Sequence, residues 1–365
     1  MKALRRGPWK VVGWLLVPLL VGTVCVVAYP RVRAGPQNVS AVELLPAEVT
    51  DPTSVRRALD GLPAETPFAA FTALKGERLI ARWGQVDLPI NTHSVRKSLL
   101  SGLYGIAVQK GLIRLNQTLE ELGIDDAKAP LTQVEKHATV KDLLMARSGI
   151  YLEAAGEVKG MKDGRPQRGS HAPGSYFYYN NWDFNVLGVI FERQTGMSIG
   201  QALFEWLATP LGMKTFRPEH VIYEQPRYSE HRQFVIFMSA EDLARFGALY
   251  AHQGRWGGQQ LIPAAWIAES TASLSRATGQ WPFDAYGYLW WVDQDDGVVW
   301  ADGWGGQFMI VDARNDVTVV SRTDTGRSLL QMGLFMALGQ DGSRKDHQQL
   351  HHWMVQATTP RLGAQ

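Results

Sequence analysis

Hydrophobic and polar positions alternate along this chain with three distinct periods, and each predicts a different element. Residues 11–29 form an unbroken apolar block, rich in Val and Leu and free of charge, about the 20 residues that cross a bilayer as a helix. Residues 67–74 and 77–83 are apolar, β-prone runs separated by Lys75-Gly76, which predicts a hairpin. Beyond Ser94, the positions Val95, Leu99, Leu103, Ile106, Ala107 and Val108 recur at helical spacing as far as Gly111, predicting a helix with Ser94 at its N-terminus. Helical patterns follow at residues 140–146 and 183–193, the second ended by Gly196, among long polar loops. Ser239-Ala240-Glu241-Asp242 resembles an acidic variant of the capping box and predicts a helix through Leu249. Strand patterns return at residues 286–292, 298–301, 307–311 and 317–322, with Asp296-Gly297 and Asn315-Asp316 as turns. Residues 329–338 and 345–356 read as helices.

Strands near both ends with helices between them predict an α/β (α+β) fold: one antiparallel sheet built from both chain ends and flanked by helices, with a mainly helical insertion at about 112–235. On this reading residues 1–34 are a membrane anchor or signal segment. Residues 35–50, with Gly35, Pro36 and Pro46, are a linker. Residues 51–365 are the folded domain.

Composition agrees with a packed protein: 365 residues, 45% hydrophobic and 20% charged. The net charge of +2 conceals an asymmetry, because the first 34 residues carry Lys2, Arg5, Arg6, Lys10, Arg31 and Arg33 and no acid. Taking those six from the 37 basic residues leaves 31 against 35 acidic ones, a net of −4 for the body. Such a body has no basic surplus with which to hold a phosphate backbone, so nucleic acid is disfavoured as a partner. The four basic residues ahead of the apolar block outnumber Arg31 and Arg33 behind it. By the positive-inside rule the N-terminus stays in the cytoplasm and the body faces the periplasm or cell exterior. Cys25-Val26-Val27-Ala28-Tyr29-Pro30 offers no small-x-small cleavage site, which favours an uncleaved single-pass anchor over secretion after cleavage. Cys25 is the only cysteine, so the body has no disulfide and depends on packing. No protein partner is predicted.

Three segments could carry chemistry. Ser94-Val95-Arg96-Lys97 fits S-x-x-K, although 17 serines and 12 lysines in this length give about half a match by chance. On a helix the i,i+3 spacing puts Lys97 on the face of Ser94, where a neutral amine could take the hydroxyl proton. The helix N-terminus adds partial positive charge for an alkoxide or oxyanion. The lysine serves only if burial or a neighbouring cation lowers its pKa; otherwise it is a surface lysine on an amphipathic helix. In Phe177-Tyr178-Tyr179-Asn180-Asn181 a tyrosine could relay a proton to a leaving group if nearby cations favour its phenolate, and an amide could position Lys97 and the substrate. The same residues could equally make a packed turn and an N-cap. In Asp302-Gly303-Trp304-Gly305-Gly306-Gln307 paired glycines could admit a substrate close to the backbone and an N–H could complete an oxyanion hole. A tight turn with an exposed aromatic would also satisfy that sequence.

In this order the three segments resemble the serine β-lactamase and penicillin-binding-protein superfamily, in its branch of class C β-lactamases, D-alanyl-D-alanine carboxypeptidases and esterases. That pattern is S-x-x-K, then Y-x-N, then K-T-G or a variant such as W-G-G, here Ser94 and Lys97, Tyr179 and Asn181, and Trp304-Gly305-Gly306. Leu144-Met145-Ala146-Arg147-Ser148-Gly149 is similar to the family's LLxHxSG segment and Pro210-Leu211-Gly212-Met213 to its PLGM turn, so that the likeness spans residues 50 to 340. It implies a β-lactamase/transpeptidase-like fold with the site between sheet and helical region. It implies acylation at Ser94, acid–base work shared by Lys97 and Tyr179, substrate held by Asn181, and an oxyanion hole from the N–H groups of Ser94 and Gln307. Such a mechanism requires no metal or cofactor.

One departure bears on substrate. Where the lactamases and peptidases carry Lys or His to bind a carboxylate, Trp304 stands, with an apolar face and one N–H. Relatives with W-G-G are known as esterases, and the G-x-G-G-Q context is similar to 6-aminohexanoate-oligomer hydrolases. Small esters or amides are therefore expected ahead of β-lactams or D-Ala peptides, with Arg147, Arg96 or Arg327 as replacement cations. Among the aromatics Trp281, Phe283, Tyr286, Tyr288, Trp290, Trp291 and Trp300, some are expected to line an acyl pocket and others the core. His347, His351 and His352 have no acidic or Cys complement beyond Asp346, so a solvated helix is expected there rather than a metal site. His93 is excluded as the base for Ser94, since adjacent helical residues do not face each other.

Overall fold

A computed structural model describes residues 37–62, 68–277, 283–326 and 344–359. The architecture below is that of the compact unit formed by residues 32–324 and 341–365. The apolar block at 11–29, the run at 329–338, Cys25, Trp281 and Arg327 lie outside the described residues. Among the described residues no helix is long and apolar enough to cross a membrane.

The predicted hairpin forms as β1 (Phe68–Lys75) and β2 (Arg78–Gly84). The late strand patterns give β11 (Val298–Gly303), β12 (Gln307–Asp312) and β13 (Val317–Thr323), and β10 (Trp291–Asp293) precedes them. With β9 (Ala285–Tyr286) and β8 (Ser275–Arg276) they make one antiparallel sheet ordered β2-β1-β13-β12-β11-β10-β9-β8, while β6 (Arg255–Trp256) and β7 (Gln259–Gln260) pair only with each other. The sheet is thus closed by pairing the two chain ends, Thr72 of β1 lying opposite Val320 of β13. Every residue of β12 and β13 is buried. The helix Ala240–Ala251 packs on β12 and β13 and the helix Arg344–Thr358 on β13, with Pro52–Asp60 lying against Arg344–Thr358 and β2; this cover is why β12 and β13 run apolar instead of alternating.

The single strand expected at residues 286–292 is two strands interrupted by a turn. Gly287 N–H donates to Trp290 O at 2.8 Å, and Leu289 has a φ of 64°. The turn is held from outside the sheet, since Leu289 N–H donates to Leu144 O at 3.1 Å and Ser98 Oγ donates to Leu289 O at 2.8 Å. Only glycine fits at 287, because a Cβ there would lie 2.1 Å from Ser270 O.

Between the sheet's two halves lie the helices Arg96–Gln109, Val140–Leu144 and Asn181–Thr195, with shorter ones at Gln133–Lys136, Lys159–Asp163 and Ile199–Leu203. The region expected to be mainly helical also contains a strand pair. β4 (Val221–Glu224) and β5 (Gln233–Met238) join β3 (Ile90–Asn91) in a small sheet ordered β3-β5-β4. β5 is buried throughout, so no alternation betrayed it. Ser239 caps the following helix as expected, accepting from Asp242 N at 3.2 Å. Asp242 does not reciprocate; its carboxylate accepts the N–H groups of Lys214, Thr215 and Phe216 at 2.7, 2.9 and 3.0 Å, securing the chain after the Pro210-Leu211-Gly212-Met213 turn.

Candidate active site

Ser94 lies in the one-turn 3-10 segment His93–Val95, which runs directly into the buried helix Arg96–Gln109. The approach to it is fixed by Thr92, whose N–H and Oγ both donate to Ile236 O of β5 at 2.9 Å. His93 then takes a φ of 46°, a region sparsely used by residues with a side chain, and its N–H donates to Asn91 Oδ1 at 2.8 Å. Gly303, the last residue of β11, packs against this turn: a Cβ there would lie 2.6 Å from Thr92 O and 3.3 Å from Ser94 N. Strand end and nucleophile backbone meet because no side chain stands between them.

Lys97 is 1% exposed, and its Nζ donates to Ser94 Oγ and to Tyr179 OH, both at 2.8 Å. The rings of Tyr179 and Phe184 lie 4.5 and 4.8 Å from the same nitrogen. Burial, and after it the neighbouring Arg96 cation, hold the amine well below the usual lysine range, against the opposing charge of Asp302. Arg96 is itself buried; it reaches Asn185 Oδ1 and Gln233 Oε1 at 3.4 Å and sits over Phe234 at 5.0 Å. Burial lowers it only to about 10, so it remains a cation at neutral pH.

Tyr179 departs from the expectation that cations would favour its phenolate. Burial raises the phenol, and this outweighs the lowering by its hydrogen bond with Ser94 and by Arg96. The phenol therefore stays neutral at neutral pH. Its ring stacks on Trp291 with centroids 5.0 Å apart and 22° between planes.

The segment before Asn181–Thr195 is extended and alternates. Phe177 and Tyr179 both contact Tyr286 and Trp291, whereas Tyr178 turns away and donates to Met161 O at 2.6 Å. Asn180 is the N-cap: its Oδ1 accepts from Trp182 N at 3.1 Å while its Nδ2 donates to Ile150 O at 2.5 Å and Asp183 Oδ1 at 2.9 Å. Ser148 also donates to Asp183 Oδ1, at 2.6 Å. Asn181 is buried, and its Nδ2 donates to Ala155 O at 3.4 Å rather than touching Lys97. Its Oδ1 is buried without a hydrogen-bond partner, which leaves an acceptor for an incoming donor.

Residues 304–306 form the turn between β11 and β12. Gly305 and Gly306 have φ of 78° and 80°, a conformation that explains the pair without invoking substrate. Gln307, expected at the oxyanion hole through its N–H, has a fully buried side chain that donates to Gly305 O at 3.1 Å and Thr323 O at 2.7 Å. It accepts from Arg322 Nε at 2.8 Å. Trp304 is half-buried and meets the His93 ring edge-on at 5.2 Å. Burial, then the cations Arg322 and Arg96, push His93 down to about 3, so His93 is neutral.

The aromatics divide. Phe283, Tyr286 and Trp291 cluster on Tyr179 and Phe177, while Trp290 stacks with Phe246 and Tyr250 in the core, Tyr288 packs on Trp266, and Trp300 lies between Phe283 and Phe308. The histidines of the last helix divide: His352 is exposed, whereas His347 and His351 are buried, the latter hydrogen-bonded to Asp312 Oδ2 at 3.0 Å. Residues that the sequence reading overlooked include Arg322, whose guanidinium also donates to Met238 O at 2.7 Å and to Ile90 O and Asn91 O at 3.0 Å. A lone arginine in the apolar run Val317–Thr323 was the available signal.

The family model described as Beta-lactamase matches residues 55–328. Solved structures share the fold at low identity. A candidate 6-aminohexanoate-dimer hydrolase from Bacillus anthracis is similar at TM-score 0.61 and 16% identity, over 89% of each chain. A family VIII carboxylesterase is similar at TM-score 0.60 and 17% identity, over 85% of this chain and 99% of its own. A penicillin-binding protein homologue from Caulobacter crescentus is similar at TM-score 0.57 and 17% identity, over 76% of this chain and 93% of its own. No curated protein sequence matches the chain.

Proposed function

The chain belongs to the β-lactamase family, and from that premise we propose that it is a serine hydrolase that cleaves small esters or amides through an acyl-enzyme on Ser94. The observation that carries this is the buried amine of Lys97, held toward its neutral form 2.8 Å from both Ser94 Oγ and Tyr179 OH. Ser94 Oγ attacks the substrate carbonyl as Lys97 Nζ takes its proton. The oxyanion forms against the N–H groups of Ser94 and Gln307. The neutral phenol of Tyr179 gives its proton to the departing alcohol or amine and is reprotonated from Lys97. Water then attacks the ester on Ser94 as Lys97 accepts its proton, and Lys97 returns that proton to Ser94 Oγ as the acyl–oxygen bond breaks and the acid leaves. Asn181, with its open acceptor, receives a donor of the substrate.

The preference for esters and amides rests on Trp304, which offers no charge for the carboxylate of a β-lactam or D-Ala peptide. The carboxylesterase and the candidate 6-aminohexanoate-dimer hydrolase among its structural neighbours are consistent with that choice. The test is labelling with a fluorophosphonate probe followed by a panel of p-nitrophenyl esters, amides and nitrocefin. Unlabelled wild type, or labelling that persists in Ser94→Ala, overturns the proposal. Acylation by penicillins with no ester turnover moves the assignment to peptidase or β-lactamase. Full biological complementation by Ser94→Ala moves it to a silent binding protein of the same fold.

The apolar, charge-free residues 11–29, preceded by four basic residues, support a single-pass anchor in the cytoplasmic membrane with the catalytic body outside. Extraction with alkaline carbonate and protease access in spheroplasts test this. Release into the wash, or a protected body, refutes it.

A further inference from the structure

A cavity lies beside the candidate site, and its chemistry is one-sided. Arg147, Ser175, Tyr176, Phe177, Ser275 and Arg276 line a cavity of about 360 Å³. Two of these six are arginines and none is acidic. Among the described residues neither guanidinium meets a carboxylate; Arg147 Nη1 donates only to Leu274 O, at 3.4 Å. Two guanidinium groups converging on one cavity without an acid repel each other, and a bound anion removes that repulsion.

The cavity's position is fixed by the backbone around it. Gly174 N–H donates to Arg147 O at 2.8 Å, and Tyr178 N–H donates to Ala146 O at 2.9 Å. Ser275 Oγ donates to Met145 O at 3.0 Å. These bonds hold the loop bearing Arg147 between β8 and the extended segment that carries Tyr179. Phe177 is the shared wall. It lines the cavity and is two residues from Tyr179 on the same side of that segment, a rise of about 7 Å. Its ring packs on Tyr286 at 5.5 Å and Trp291 at 6.2 Å, the rings that flank Tyr179 at 5.9 and 5.0 Å. A continuous series of ring contacts, Tyr179 to Trp291 to Phe177, thus links the reacting groups to the cavity that holds the two arginines.

We propose that Arg147 and Arg276 bind a carboxylate at the far end of the substrate, so that the preferred substrate is an ester or amide of a linear acyl chain terminating in an acid. This rests on the serine-hydrolase reading and concerns the acyl end of the substrate, which is not the position faced by Trp304. Arginine suits the task because its planar fork pairs both oxygens of a carboxylate.

The experiment compares p-nitrophenyl hydrogen adipate with p-nitrophenyl methyl adipate, which differ only at the terminal group, a carboxylate against its uncharged methyl ester, in wild type, Arg147→Gln/Arg276→Gln and Arg147→Lys. The free acid is expected to be favoured in kcat/KM by about tenfold in wild type, which corresponds to about 1.4 kcal/mol, with the gap narrowing as ionic strength rises. In the double variant the ratio is expected to fall to about one, and Arg147→Lys to retain part of it. Because each protein is its own reference, the ratio remains informative even where a variant is less stable. Equal rates for the two esters in wild type, or a preference that survives the double substitution, overturns the carboxylate site. Failure of wild type to hydrolyse either ester, together with no fluorophosphonate labelling, instead overturns the hydrolase reading.

Discussion

Lys97 Nζ lies 2.8 Å from Tyr179 OH, and burial acts on the two groups in opposite directions, lowering the amine and raising the phenol. The amine is thereby shifted toward its neutral form, and the phenol stays neutral. The pair thus comprises an acceptor and a donor of protons, with Ser94 between them in the reaction.

Removing the nucleophile or its base should silence the enzyme and spare the fold. Ser94→Ala and Lys97→Met are each expected to lower kcat by about 10³-fold or more, measured on p-nitrophenyl esters, with circular dichroism unchanged.

Lys97→Met is also expected to make the protein more stable. A lysine whose folded pKa lies below 10.5 costs stability below that pH: the penalty grows as pH falls from 10.5 toward the folded value and is constant beneath it. Replacing it with an apolar chain removes the penalty, and a gain of about 1–2 kcal/mol at neutral pH is expected in urea unfolding, shrinking toward pH 10.5.

The pH profile should carry an acid limb from the same group. kcat/KM is expected to fall as pH drops through the depressed Lys97 pKa, because the amine is then protonated and cannot take the Ser94 proton. Arg96→Gln removes a neighbouring cation that favours the neutral amine, so the limb should move to higher pH. A limb that stays in place contradicts that role for Arg96.

Tyr179→Phe keeps the ring on Trp291 and removes the hydroxyl. An amide leaving group needs a proton and p-nitrophenolate scarcely does, so kcat should fall by about 10²- to 10⁴-fold on amides and much less on p-nitrophenyl esters. Equal losses on both would point to a purely structural hydroxyl.

Arg322→Met should be among the most damaging substitutions away from the reacting atoms. It strips the donor from Gln307 Oε1 and from the carbonyls of Met238, Ile90 and Asn91, and a loss of about 3 kcal/mol or more is expected in thermal unfolding.

Periodicity and turn residues made most of the sheet readable, because β11 to β13 are long and bounded by Asp296-Gly297 and Asn315-Asp316. What escaped was decided by contacts distant in sequence. The break at 287–290 depends on Ser98, Leu144 and Ser270, none of which marks the local pattern. β5 is buried on all sides and so shows no alternation. At the site, the ordered motifs found Ser94, Lys97 and Tyr179, and the structure brings these together. The sign of the Tyr179 shift was not legible, since it turns on how deeply the ring is buried against Trp291 and Phe184. Arg96 was read only as a replacement cation for substrate, and Arg322 showed only as a lone arginine in a strand; their partners, amide and carbonyl oxygens distant in sequence, were not legible.

The pairing of Thr72 with Val320 also sets the order in which the protein can be completed. Until the segment that forms β13 has been synthesised, β1 has β2 on one side and an open row of backbone donors and acceptors on the other, and β12 lacks the partner that joins it to the N-terminal hairpin. Long-range pairings of this kind form slowly and leave nascent chains prone to sticking to one another. Growing chains should therefore depend on chaperones until their last strand is released, and the site should switch on abruptly rather than mature in stages.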